Sequence, residues 1–146
     1  RRFNKIFTHN NIDFYDDYAH HPTEIGVVLE GVKKVYKGYD KVCVFQPHRI
    51  SRLKDLRKEF SFAFKNADIV ILCPIYTAGE RISLGFNYLN FAREIIKNSK
   101  VKLFLINDKT KLAKFLKKNM YGKKIVIGMG AGSISNWMRE LPQLIQ

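Results

Sequence analysis

The feature of this sequence that most constrains its fold is a regular alternation of short apolar runs with longer helical patterns. Apolar runs of strand length lie at Lys41–Gln46, Asp68–Pro74, Val101–Ile106 and Lys124–Gly128. Apolar residues also recur at helical spacing in stretches that begin near Pro22, Ser51 and Phe86 and in Lys109–Asn119, and the tail Ser135–Gln146 is expected to become helical around Trp137. This order is typical of βαβ units. It predicts an α/β, Rossmann-like fold with a mostly parallel sheet and helices on both of its faces.

The first residues predict a short N-terminal β-hairpin. Residues 3–9 and 12–16 have strand-like patterns, and Asn10-Asn11 between them tolerates left-handed turn geometry. We expect residues 1–5 to be the end of an interdomain linker and residues 6–146 to form one domain. Because the chain does not begin with Met, we also expect it to be part of a longer protein.

Composition excludes several classes of protein. A hydrophobic share of 46% and an aromatic share of 13% suffice for a packed core, which excludes disorder. The sequence has no secretory signal and no apolar run near the ~20 residues that span a bilayer, so we expect a cytoplasmic protein without a membrane partner. Cys43 and Cys73 lie within apolar runs, and this predicts buried thiols without a catalytic role.

The net charge of +13 permits an acidic partner, yet the lysines are scattered and form no run of five or six. A basic nucleic-acid- or nucleotide-binding α/β module is therefore the alternative function, with nucleic acid the less favoured partner. The four histidines (His9, His20, His21 and His48) do not have common zinc spacings, so no metal site is predicted. The sequence also has no phosphate-binding loop of the form Gly-x-x-x-x-Gly-Lys-Ser/Thr.

Two polar clusters follow predicted strands, where ligands bind in open α/β sheets. In the first, Asp16–Glu24, the start of a helix offers free N–H groups to an anion, but the same residues equally fit a helix cap. In the second, Arg49 and Arg52 are three residues apart on a predicted first helical turn, so their planar guanidinium groups can converge on one anion. Two solvent-facing arginines are the alternative in so basic a chain. The loops at Ile75–Glu80 and Gly128–Ile134 also follow strands, but neither carries a specific signal by itself.

With these residues identified, the sequence resembles the Mur ligases, and among them the branch that joins L-alanine to UDP-N-acetylmuramate. The matching segments occur in the expected order over nearly the whole chain: Arg1-Arg2-Phe3, Asp16–Glu24, Phe45–Arg49, Ser51-Arg52, Asp55-Leu56, Ile75-Tyr76, Ala78-Gly79-Glu80 and Gly130-Ala131-Gly132. The resemblance implies the carboxy-terminal domain of a three-domain enzyme, whose central domain is the ATPase. That enzyme uses ATP and Mg²⁺ to activate the muramate carboxylate, which the alanine amine then attacks.

The resemblance also assigns residues. Arg49 and Arg52 hold the alanine carboxylate, and Tyr18 and His20 line the amino-acid pocket, with His20 in a catalytic role. Arg2 and Asp17 approach ATP, which is bound mainly by the central domain, and His48 and Glu80 lie around the pocket. We expect the isolated domain to be inactive.

Two departures from the family pattern limit this assignment. Ser133 stands where the family commonly has Asp, which puts the role of that acidic residue in doubt. The stretch Arg81–Tyr88 is unlike the family, so no detail of its loop is carried over.

Overall fold

The computed structural model describes residues 2–81 and 86–146. Their six strands form one sheet in the order β1-β2-β6-β3-β4-β5. All neighbouring pairs are parallel except β1 and β2, which form the antiparallel hairpin at one edge. The strand bounds are β1 Asn4–His9, β2 Ile12–Asp17, β3 Asp40–Phe45, β4 Ile69–Leu72, β5 Lys102–Leu105 and β6 Lys124–Met129. The predicted fold class is confirmed.

Helices α1 to α5 connect the parallel strands, α6 follows the last strand, and together they cover both faces of the sheet. Their bounds are α1 Pro22–Val35, α2 Ile50–Asp55, α3 Arg57–Phe62, α4 Tyr88–Ser99, α5 Lys109–Asn119 and α6 Ile134–Ile145. None of the helices among the described residues is long and apolar enough to cross a membrane.

Alternate residues of each central strand belong to two separate cores, because successive side chains of a strand point to opposite faces. In β3, Cys43 and Phe45 pack with α1, α3 and α4, whereas Val42 and Val44 pack with α5 and α6. Both cysteine thiols are fully buried, as predicted, and burial raises the pKa of Cys73 to about 12. Neither thiol is therefore poised to act as a nucleophile.

The structure corrects the helix that was predicted to begin at Ser51. It is two short helices, α2 and α3, which are interrupted at Leu56, and Ser51 lies inside α2 instead of capping it. The residue before the helix is Arg49, whose side chain makes no capping hydrogen bond. The apolar periodicity from Leu53 to Phe64 did not reveal this break, because residues on both sides of it pack into the same core.

The hairpin turn has the predicted geometry, since Asn10 and Asn11 both have positive φ, at 52° and 62°. β1 begins at Asn4, so residues 4 and 5 already pair with β2. The division into a linker and a domain at residue 5 stays a prediction.

Candidate functional site

Four loops meet at one edge of the sheet, because β2, β3, β4 and β6 run parallel and their carboxyl ends lie together. These loops carry the residues that the sequence singled out. They follow Asp17, Phe45, Leu72 and Met129. This edge is where open α/β sheets bind ligands, and it is therefore the candidate site.

The loop after β3 places the two arginines differently from the prediction. Arg49 is not in the first turn of α2 but one residue before it, with φ of 70°, and its side chain is exposed. Arg52 lies within α2 and is half-buried. Its Nη1 atom is buried without a hydrogen-bond partner among the described residues. A buried guanidinium N–H without an acceptor is costly, so Arg52 is suited to receive an anionic ligand.

His48 lies beside both arginines. Its Nδ1 atom is also buried and has no hydrogen-bond partner in the described part of the chain. Burial and, after it, the positive charge of Arg52 lower the pKa of His48 from its usual value of 6.5. The imidazole is therefore neutral near pH 7, and it can donate or accept a hydrogen bond to a ligand without adding charge.

The loop after β4 supports the loop after β3. Glu80 accepts hydrogen bonds from the Oγ of Ser51 (2.6 Å) and from its backbone N–H (3.4 Å). The bond from the Ser51 hydroxyl is the main reason that the pKa of Glu80 is lowered. Glu80 thus satisfies the first turn of α2, which has no side-chain cap of its own.

The Asp16–Glu24 motif contains a complete helix cap, which was one of its two interpretations. The imidazole Nδ1 of His21 accepts from the backbone N–H of Thr23 (3.2 Å), and Pro22 is the first residue of α1. Glu24 accepts from the backbone N–H groups of His20 (3.2 Å) and His21 (3.0 Å). Partial burial by itself raises the pKa of Glu24, but these hydrogen bonds and the two histidines outweigh it and lower the pKa.

His20 and Tyr18 precede the capped helix and lie next to the loop after β3. The Nδ1 of His20 lies 2.9 Å from the carbonyl oxygen of Tyr18. A carbonyl only accepts, so this nitrogen carries a proton, and Nε2 of the neutral ring is an acceptor. The His20 ring is 4.9 Å from the ring of Tyr18 and 6.0 Å from that of His48, so the loops after β2 and β3 meet here.

Arg2 and Asp17 line a second part of this edge, a cavity of about 340 Å³ that also includes Tyr18 and the first turns of α1. Asp17 is buried, and its carboxylate accepts from the backbone N–H groups of Phe3 and Ala19, both at 2.8 Å. Each carboxylate oxygen has a further lone pair, so these bonds do not prevent a contact with a ligand. Asp17 therefore binds the first residues of the chain to this edge of the sheet, whether or not it also binds a ligand.

The glycine-rich loop after β6 is fastened by Gln46, a buried residue to which the sequence reasoning gave no role. The side chain of Gln46 donates to the Oγ of Ser133 (2.9 Å) and accepts from the backbone N–H of Ile134 (3.0 Å). A Cβ at Gly130 would lie 2.9 Å from the Gln46 carbonyl oxygen, which explains the need for glycine there. The signal in the sequence was a polar residue at the end of an apolar run, which by itself indicates no partner.

A larger cavity, of about 560 Å³, lies at the carboxyl ends of β4 and β5. Its walls are mainly apolar and include Leu72, Ile75 and Ile106, with Lys111 as the one cation among its described residues. It shares Ile50 and Thr77 with the loops of the candidate site. We place the chemistry at the smaller region around Arg52 and His48, because unpartnered polar atoms are concentrated there.

The arrangement matches a known family. The family model described as "Mur ligase, glutamate ligase domain" matches residues 1–132. The chain belongs to the Mur ligase family. Its sequence is 69% identical over 145 residues to the UDP-N-acetylmuramate–L-alanine ligase of Pelagibacter ubique, covering 99% of this chain and 31% of that protein. The chain thus spans about a third of the length of this Mur ligase.

Solved structures agree with this Mur ligase fold. The crystal structure of the UDP-N-acetylmuramate–alanine ligase from Thermotoga maritima superposes with a TM-score of 0.75 at 26% identity, over 98% of this chain and 29% of that one. A crystal structure of a domain from a putative UDP-N-acetylmuramate:L-alanyl-γ-D-glutamyl-meso-diaminopimelate ligase from Haemophilus ducreyi covers 99% of this chain. It has a TM-score of 0.72 at 18% identity, which supports the fold alone, and the match extends over 100% of that chain. A Mur ligase domain of this size has therefore been crystallised by itself.

Proposed function

We propose that this chain is the amino-acid-binding carboxy-terminal domain of the ATP-dependent ligase that joins L-alanine to UDP-N-acetylmuramate in bacterial peptidoglycan synthesis. The activity requires the ATPase and UDP-sugar domains, and the domain alone is inactive. The observation that carries the proposal is the buried Nη1 of Arg52 beside the buried Nδ1 of His48, since neither atom has a hydrogen-bond partner within residues 2–81 and 86–146. The 69% identity to a ligase of this activity supports the choice of substrates.

The carboxylate of L-alanine is the anion that Arg52 would bind. Two N–H groups of one guanidinium can hold both oxygens of a carboxylate, which fixes its orientation as well as its position. Arg49 is exposed at the rim and adds a second positive charge. We therefore expect Arg52 to contribute more binding energy than Arg49, since charge–charge attraction is weaker where water screens it.

The amine of L-alanine must lose a proton before it attacks, and His20 is the group that we assign to this role. Its hydrogen bond to the Tyr18 carbonyl leaves Nε2 as the acceptor, and a general base needs such an acceptor within reach of the amine. The ring of Tyr18 lies against His20 and forms the outer wall of the pocket. His48 is neutral near pH 7, so it does not compete with the arginines for the carboxylate.

ATP, when bound, supplies the phosphoryl group that activates the muramate carboxylate. The 340 Å³ cavity lined by Arg2 and Asp17 is the part of this chain that would contact ATP. Arg2 would pair with the negative charge of a phosphate, and Asp17 would accept a hydrogen bond from a ribose hydroxyl. No group of three or more His, Cys, Asp or Glu residues suited to a metal is found within residues 2–81 and 86–146. We assign Mg²⁺ and most of the ATP contacts to the central domain, as membership of the Mur ligase family implies. The basic nucleic-acid-binding alternative has no comparable support and is not proposed.

The experiment is steady-state kinetics of the full-length ligase with Arg52→Ala and Arg49→Ala. Loss of hydrogen bonds to a charged group costs ~1.5–3 kcal/mol, so Arg52→Ala should raise the half-saturating L-alanine concentration about 10- to 150-fold. Arg49→Ala should raise it less, and UDP-N-acetylmuramate saturation should not change in either variant. Arg93→Ala, on the exposed surface of α4, is the matched control. An unchanged alanine requirement in Arg52→Ala would refute the assignment.

A further inference from the structure

The ring of Tyr76 connects two loops of the site. Tyr76 stacks on the imidazole of His48, with centroids 5.5 Å apart and ring planes 14° from parallel. The same ring packs directly against Gly132, because a Cβ at that position would lie 2.4 Å from the Tyr76 Cγ atom. Neither Tyr76 nor Gly132 has been given a role in the proposed function.

The backbone of Tyr76 also shapes the arginine loop. Tyr76 donates its N–H to the carbonyl oxygen of Pro47, and its own carbonyl oxygen accepts from the N–H of Arg49, both at 2.8 Å. These two bonds form a parallel bridge between residues 48 and 76. They hold Arg49 at its positive φ of 70°, a conformation that a non-glycine residue adopts only when its surroundings impose it.

The glycine loop behind the ring is itself fixed. Gln46 binds it at Ser133 and Ile134, and Gly130 is in tight contact with the Gln46 backbone. Gly132 therefore cannot easily move away from the Tyr76 ring. A larger residue at 132 has to displace the ring instead.

We propose that Tyr76 is a positioning residue, which transmits the fixed position of the Gly130–Ser133 loop to His48 and Arg49 and so sets the geometry of the amino-acid pocket. This inference rests on the proposed function for its choice of ligand. Gly132 contributes to this positioning, since the absence of a side chain there lets the Tyr76 ring lie flat against His48. The ring, and not the phenolic hydroxyl, makes the contacts that matter.

The test compares Tyr76→Ala, Tyr76→Phe and Gly132→Ala in the full-length ligase. Loss of one aromatic pair should raise the half-saturating L-alanine concentration about three- to tenfold in Tyr76→Ala. Tyr76→Phe keeps the ring and should stay within about twofold of wild type. Gly132→Ala should match or exceed Tyr76→Ala. UDP-N-acetylmuramate saturation should not change in any of the three.

Gly31→Ala is the control for the glycine substitution, because a Cβ at Gly31 meets no described atom within 4 Å outside the backbone of its own helix. The double variant Gly132→Ala/Tyr76→Ala gives the sharpest result. If Gly132 acts through the ring, the double variant should be no worse than Tyr76→Ala alone, whereas independent effects would multiply.

A spectroscopic measurement separates positioning from general stability. NMR titration of the 146-residue chain should show a lowered pKa for His48 in wild type and in Tyr76→Phe, and a pKa shifted upward in Tyr76→Ala, where burial of the imidazole is relieved. The inference is overturned if Tyr76→Ala keeps the wild-type alanine requirement, if Tyr76→Phe behaves like Tyr76→Ala, or if the two single effects multiply. Wild-type enzyme without any dependence on L-alanine would overturn the proposed function instead.

Discussion

The hydrogen bonds of the Asp17 carboxylate allow us to predict how much stability the substitution Asp17→Ala removes. Its two oxygens accept from the N–H groups of Phe3 and Ala19, both at 2.8 Å, and the residue is only 5% exposed. Asp17→Ala removes both acceptors at once. The Ala19 N–H is buried and loses its partner, whereas the Phe3 N–H is partly buried and can reach water.

An unsatisfied buried donor costs ~1–3 kcal/mol, and the half-exposed donor costs less. We therefore expect Asp17→Ala to lower the free energy of unfolding by about 2–4 kcal/mol. For a domain of this length, such a loss corresponds to a Tm lower by about 6–12 °C. The Phe3 ring, which stacks on Tyr15 at a centroid distance of 3.9 Å, should become more mobile as the first residues detach.

The assay is urea unfolding of the 146-residue chain, followed by far-UV circular dichroism. Asp13→Ala is the matched control on the same strand, since the Asp13 side chain is 31% exposed, accepts from the exposed hydroxyl of Thr8 and pairs with Lys5 at 3.9 Å. It should cost no more than about 1 kcal/mol. Equal effects of the two substitutions, or a loss below about 1 kcal/mol for Asp17→Ala, would refute the reasoning.

Three further outcomes follow from burial. Because the pKa of His48 is depressed in the folded state, the unfolded chain takes up the proton more readily as pH falls below 6.5. Stability should therefore decline from pH 7 to 5, and His48→Gln should flatten that decline in urea melts. The thiols of Cys43 and Cys73 are buried with raised pKa values, so iodoacetamide at pH 8 should modify them only after unfolding, as read by mass spectrometry. Fast labelling of the native chain would contradict the burial of these thiols. Leu29→Ala, in the fully buried face of α1, should cost ~2–5 kcal/mol of unfolding free energy, and a loss under 1 kcal/mol would mean that this core is loosely packed.

The sequence determined the fold because its signals are local. Apolar runs of five to seven residues between amphipathic helical patterns leave few arrangements other than a mostly parallel sheet covered on both faces. Asn10-Asn11 predicted its turn and Pro22 the start of α1 for the same reason, since each acts through its own backbone preferences. The sequence did not predict the break at Leu56, because that break depends on how two short helices pack against the same core.

The residues of the candidate site were also visible in the sequence, since polar clusters at the carboxyl ends of strands mark the ligand-binding edge. Their geometry was not. Three features depend on contacts between loops far apart in the chain. Arg49 lies outside α2 at positive φ, Gln46 binds the glycine-rich loop, and Arg52 and His48 have buried atoms that find no partner in the part of the chain that the structure describes. Residue types and spacing specify which groups reach this edge, whereas only the folded sheet brings β3, β4 and β6 side by side and so decides what those groups touch.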